Sequence, residues 1–165
     1  MHFIGLGGAG GNIIEHIHRK GVSGRFTYVN GPARPGLAHD IAHIKFVPPS
    51  QREEVPIRLR QLFAADERYV LFAGLGGKTG SYLSYVLGEW LRNNNKDFLI
   101  ACTLPFAFES GAVQTAQQVK VCLRRLPNFK CLALDSLKET HGQTGVSDFF
   151  ALADDNLYRL YQLAA

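Results

Sequence analysis

The chain has 165 residues, 46% of them hydrophobic and 19% charged, and a net charge of +4. That is the length of one domain, too apolar for disorder, and no apolar run reaches the roughly 18 residues a membrane span needs. Its Lys and Arg are scattered, which admits an anionic ligand without indicating nucleic acid. Its three cysteines, Cys102, Cys122 and Cys131, form no CxxC pair and suit reduced thiols in a cytoplasmic protein.

His2–Leu6 reads as a short buried strand, with neither the basic segment nor the cleavage site of a secretory leader. The run Gly7-Gly8-Ala9-Gly10-Gly11 ends it, and residues 12–20 follow as a helix carrying Ile13, Ile14 and Ile17. Arg25–Asn30 is β-branched and aromatic, a second strand, and residues 31–36 form a Gly/Pro loop. Residues 43–47 suggest a short edge strand. From Ser50 the pattern turns helical, with Ser50 or Pro56 at the start and Val55, Leu59, Leu62 and Phe63 in a stripe. Residues 69–73 form a strand, Gly74 to Gly80 a second glycine loop, and residues 81–92 a helix. Strands at 98–103 and 130–134 and helices at 112–126 and 147–163 complete the alternation. Such alternation predicts an α/β fold, a Rossmann-like three-layer sandwich on a mostly parallel sheet.

A glycine run between strand and helix lets the backbone approach a phosphate while the first helical N–H groups point at it. Gly5-x-Gly7-x-x-Gly10 satisfies the dinucleotide fingerprint, but the acid expected at the end of the second strand is replaced by Asn30. Gly77-Lys78-Thr79 invites a P-loop reading, which fails because Phe72 stands where that motif needs glycine. Two glycine loops on one sheet edge suit a di- or triphosphate.

Four segments together resemble the nucleotide-binding domain of the tubulin/FtsZ superfamily: FIGLGGAGGN from Phe3, FAGLGGKTGS from Phe72, TLPFAFES from Thr103 and SDFFALADDNL from Ser147. The resemblance covers nearly the whole chain and implies a guanine-nucleotide site for GTP or GDP. Gly7, Gly8, Ala9, Gly10, Gly11 and Asn12 would wrap the α- and β-phosphates. Gly76, Gly77, Thr79, Gly80 and Ser81 would bind the β- and γ-phosphates, with Lys78 either a phosphate contact or a solvated loop lysine. Asn30 matches an asparagine after the second strand, Glu109 a ribose-binding glutamate and Phe150 an aromatic that stacks on the base. Asp154 matches the residue that reads the N1 and N2 edge of guanine; a carboxylate accepts both hydrogens. Of Phe149 and Phe150, one is expected in the core.

The departures shape the functional expectation. Lys78 and Tyr82 replace signature glycines, Ala112-Val113 replaces a basic pair, and Asp135 stands where an asparagine helps read guanine. The chain ends within what would be the family's central helix, without the second domain and its acidic catalytic loop. The resemblance therefore implies a single domain, residues 1–165, with no catalytic residue and little hydrolysis alone. It would be a switch, partner or cap in a filament or regulatory assembly, of the kind that serves cell division or a cytoskeleton. Mg²⁺ is admitted but not required. No metal site is expected, since His39 and His43 lack a third ligand. Phe149, Leu152, Ala153, Leu160 and Ala164 of the last helix would cover the sheet. Leu157, Tyr158, Tyr161 and Leu163 would be left to pair with a second copy or another protein. A pseudo-GTPase interaction module and an NAD(P)-binding Rossmann protein are the alternatives.

Overall fold

In a computed structural model of the chain, the structure describes residues 1–49, 57–65, 67–141 and 146–164. The order is β1 (His2–Leu6), α1 (Gly7–Arg19), β2 (Arg25–Asn30), β3 (Ala42–Lys45), α2 (Ile57–Arg60) running into a 3-10 turn (Gln61–Phe63), β4 (Tyr69–Gly74), α3 (Lys78–Asn93), β5 (Phe98–Leu104), α4 (Ser110–Leu123), β6 (Phe129–Ala133), α5 (Leu134–His141) and α6 (Val146–Ala164).

All six strands run parallel in the order β3-β2-β1-β4-β5-β6. The four central strands are buried at nearly every position because helices cover both faces, and alternate residues serve opposite sides. Ile4, Leu71 and Ile100 pack toward Leu83, Leu87 and Leu91 of α3 and Leu123 of α4. Phe3, Val70, Phe72 and Leu99 pack toward Ile13, Ile14 and Ile17 of α1 and Leu157 of α6. The layers are those of a three-layer α/β sandwich on a parallel sheet, as the alternation predicts.

The differences from the sequence reading are local and physical. Both glycine runs enter their helices earlier than expected, at Gly7 and Lys78, because packing of the following turns holds residues with weak helix propensity. The helix start at Ser50 or Pro56, with Val55, lies outside the described residues; Leu59 and Phe63 of its stripe are buried. Helix α5, which the sequence reading did not place, is eight residues long and is held by Leu134 and Leu137, packed with Phe149 and Ala153 of α6.

Leu157, expected in the surplus of the last helix, is wholly buried. Tyr158, Leu160 and Tyr161 pack against the same cluster, and the Tyr161 ring meets Phe3 edge-on, centroids 5.4 Å apart. The wide apolar arc of α6 is therefore largely covered by α1 and the sheet. No described helix is long and apolar enough to cross a membrane.

Candidate functional site

The chain leaves β1 toward β2 on one side and β4 toward β5 on the other, so the carboxyl ends of these adjacent strands form a topological switch point. There α1 and α3 begin, on opposite faces of the sheet, and a cavity of about 400 Å³ opens between their N-termini.

Backbone contact sets the closeness of the two starts. Gly7 turns at φ +71°, which an L side chain rarely adopts, and a methyl group there would lie 3.0 Å from the amide nitrogen of Gly80. Gly10 presses α1 onto the sheet so closely that a methyl group would strike the Phe72 carbonyl oxygen. The glycines therefore serve helix–sheet packing as well as the cavity wall.

Gly7, Gly8, Ala9 and Asn12 of the first run line the cavity, as do Gly77, Lys78, Thr79 and Gly80 of the second. Asn30, Glu109, Phe150 and Asp154 join them from β2, the N-cap of α4 and α6. Five candidates stand outside the lining. Gly10 and Gly11 back α1 against Phe72 and the Tyr28 ring. Gly76 donates its N–H to Ser81 Oγ at 2.8 Å, so that hydroxyl closes the turn into α3. Asp135 Oδ2 accepts the Ala107 N–H at 2.8 Å, which ties the loop after β5 to α5. Tyr82 also turns away, its ring stacked on Phe46. Of the phenylalanine pair, Phe149 takes the core place at 7% exposure and Phe150 stays 45% exposed at the cavity.

Consecutive acids on α6 have opposite environments. Asp155 Oδ1 is 2.8 Å from His16 Nε2 and 2.9 Å from Lys20 Nζ, and these partners hold its carboxyl below the usual range. Asp154 has no hydrogen-bond donor among the described residues. Burial pushes its carboxyl up to about 6, against the pull of His16, Arg19 and Arg34 and with a further push from Asp155. A half-buried, raised carboxylate facing a cavity is the kind of group a ligand donor would satisfy.

Thr103, Pro105, Phe106 and Leu134 also line the cavity and were not singled out in the sequence. The first three lie in the TLPFAFES segment, which was legible only as a motif. Arg34 joins Asn12 Oδ1 and lies 3.2 Å from Glu15, linking the loop after β2 to α1; a lone arginine in a Gly/Pro loop gives no sequence signal for that. Asn30 Nδ2 donates to the Tyr28 hydroxyl at 2.6 Å. The described residues contain no cluster of three or more His, Cys, Asp or Glu able to hold a metal ion.

No protein-family model matches the chain, and no curated protein matches it. Solved structures do. The empty FtsZ dimer of M. jannaschii superposes with a TM-score of 0.73 at 19% identity, over 94% of this chain and 51% of that one. GDP-bound monomeric CetZ1 from Haloferax volcanii gives 0.68 at 18%, over 93% and 56%. The phage tubulin PhuZ with GDP gives 0.60 at 13%, over 98% and 55%. The fold is thus tubulin/FtsZ-like, and the chain spans about half the length of these structures.

Proposed function

We propose that the chain is a guanine-nucleotide-binding domain that holds GTP or GDP at the β1/β4 switch point and serves as a switch, partner or cap in an assembly. The observation that carries this reading is Asp154: a raised carboxylate without a hydrogen-bond donor among the described residues, lining the same cavity as two glycine-built helix N-termini. The N-termini suit phosphates. The carboxylate suits the paired N1 and N2 hydrogens of guanine, which adenine does not offer in that arrangement. Phe150 offers an exposed ring for base stacking and Glu109 a carboxylate for ribose hydroxyls. Two of the similar structures carry GDP, and the FtsZ structure is a dimer, which supports a role in association.

Nucleotide released from the purified protein, identified by chromatography, together with titrations of GDP against ADP, tests the reading. Guanine nucleotide and a preference for GDP are expected. Nicotinamide dinucleotide would favour the Rossmann alternative; equal affinity for GDP and ADP would defeat the role given to Asp154. The interaction-module reading rests on Lys78 and Tyr82 in the second loop; the Tyr82 ring is stacked on Phe46, outside the cavity lining, and Lys78 lines the cavity.

A further inference from the structure

The cavity's cradle end has a donor set that can be compared with what a nucleotide-bound divalent cation needs. Mg²⁺ on nucleotide phosphates is commonly anchored by one or two protein carboxylates. Neither α1 nor α3 has an acid in its first turn. The acids that reach the cavity belong elsewhere, Glu109 at the N-cap of α4 and Asp154 on α6 beside His16, Arg19 and Arg34. Among the described residues, the cradle end does not fit the ion.

It contains a fixed cation instead. Lys78 is the first residue of α3, is exposed, and lines the cavity. No described residue pairs with its ammonium. A cation there faces the positive end of the helix dipole, which is unfavourable until an anion lies between them. Two helix N-termini at about half a charge each, with the ammonium, present about two positive charges to whatever occupies that end. A lysine is a compact charge on a flexible stem and reaches phosphate oxygens without fixed geometry.

We infer that the cavity takes its polyphosphate ligand as the metal-free anion, with the Lys78 ammonium in the role a divalent cation would otherwise fill. The inference rests on the nucleotide reading for the identity of the site and adds the form in which the phosphates bind. It is tested by calorimetric titration of the full chain with inorganic pyrophosphate and with GDP, each in excess EDTA and in excess Mg²⁺, with ADP as the comparison for GDP. Wild type, Lys78→Ala and Lys78→Arg are compared, with circular dichroism as the check that each variant folds.

The wild type is expected to bind both ligands in EDTA, and excess Mg²⁺ is expected to weaken binding rather than strengthen it, because the ion competes with the site for the free anion. Lys78→Ala is expected to lose about tenfold or more in EDTA for both ligands, and Lys78→Arg to retain most of the affinity. A tenfold or larger gain of wild-type affinity with Mg²⁺, or unchanged affinity of Lys78→Ala in EDTA, would overturn the inference. GDP bound in preference to ADP, but tightly only with Mg²⁺, would overturn it and sustain the guanine reading. Pyrophosphate bound in EDTA with no preference for GDP over ADP would sustain it and overturn the guanine reading. Binding of neither ligand overturns both.

Discussion

At one end of the cavity the wall is backbone, two glycine runs pressed so close that Gly7 and Gly80 nearly touch. At the other it is side chains brought from separate elements: Asn12 from α1, Asn30 from β2, Glu109 from the start of α4, Phe150 and Asp154 from α6. The cradle end recognises charge and shape through groups every residue possesses, and its glycines also hold the fold together. The side-chain end can select among ligands, and its members can change with less cost to the fold. Substitutions at the two ends should therefore fail differently.

The largest effect is expected at Gly10. A side chain there meets the Phe72 carbonyl, so α1 must move away from the sheet. Gly10→Val should cost about 3 kcal/mol or more, seen as loss of the cooperative transition in thermal or urea denaturation. A stable Gly10→Val protein that had merely lost ligand would break the distinction between the ends.

Asp154→Ala should do the reverse, keeping the cooperative fold and weakening GDP about ten- to a hundredfold, or about 1.5–3 kcal/mol. The same group should give the wild type a pH profile. Its carboxyl is pushed up to about 6 in the free protein, and guanine needs the ionised form, so protons compete with the base. Affinity should be level above about pH 7 and fall toward tenfold per unit as pH drops through 6. Fluorescence titration with a labelled GDP from pH 5 to about 8 reads this; the slope should vanish in Asp154→Asn. Phe150→Ala should have a smaller effect, about 1 kcal/mol of affinity from lost stacking, with little change in melting because the ring is already 45% exposed.

The two ends also differed in how much the sequence disclosed. Parallel strands covered on both faces leave continuous apolar runs, and glycine runs between strand and helix mark phosphate-type cradles, so the fold and one end of the site follow from pattern alone. Where each glycine points did not follow: Gly10, Gly11 and Gly76 answer to packing and turn geometry set by Phe72, Tyr28 and Ala112, which lie far off in sequence. The side-chain end has no local signature. Asp154 and Asp155 are indistinguishable by composition, and only the motif favoured the first. Helix α5 is short, and its two buried leucines depend on α6 to bury them. The surplus assigned to Leu157, Tyr158 and Tyr161 disappeared because α1 and Phe3 stand where a helical wheel cannot show them.

The smallest effects come from these neighbouring acids, and their sign makes the sharpest contrast. Asp155 is held below its usual range by Lys20 and His16. Its stabilisation is therefore present above the unfolded pKa and is lost as pH falls through the lower, folded value. With a side chain 38% exposed, the pair is screened, and Asp155→Asn should cost less than about 1 kcal/mol at pH 7.5. Asp154 works the other way. Burial lifts its folded pKa from the ordinary 3.8 to about 6, so the folded protein holds the extra proton and the ionised form is a cost present above about pH 6. That cost fades as pH falls toward 3.8. Asp154→Asn should therefore raise stability at pH 7.5 by about 1 kcal/mol, with the gain shrinking toward zero near pH 4. Differential scanning calorimetry of both variants at the two pH values decides it. The same amide substitution, one residue apart, should move Tm up in one protein and down in the other at pH 7.5. Two downward shifts would mean that Asp154 has a partner in the free protein and is not waiting for a ligand.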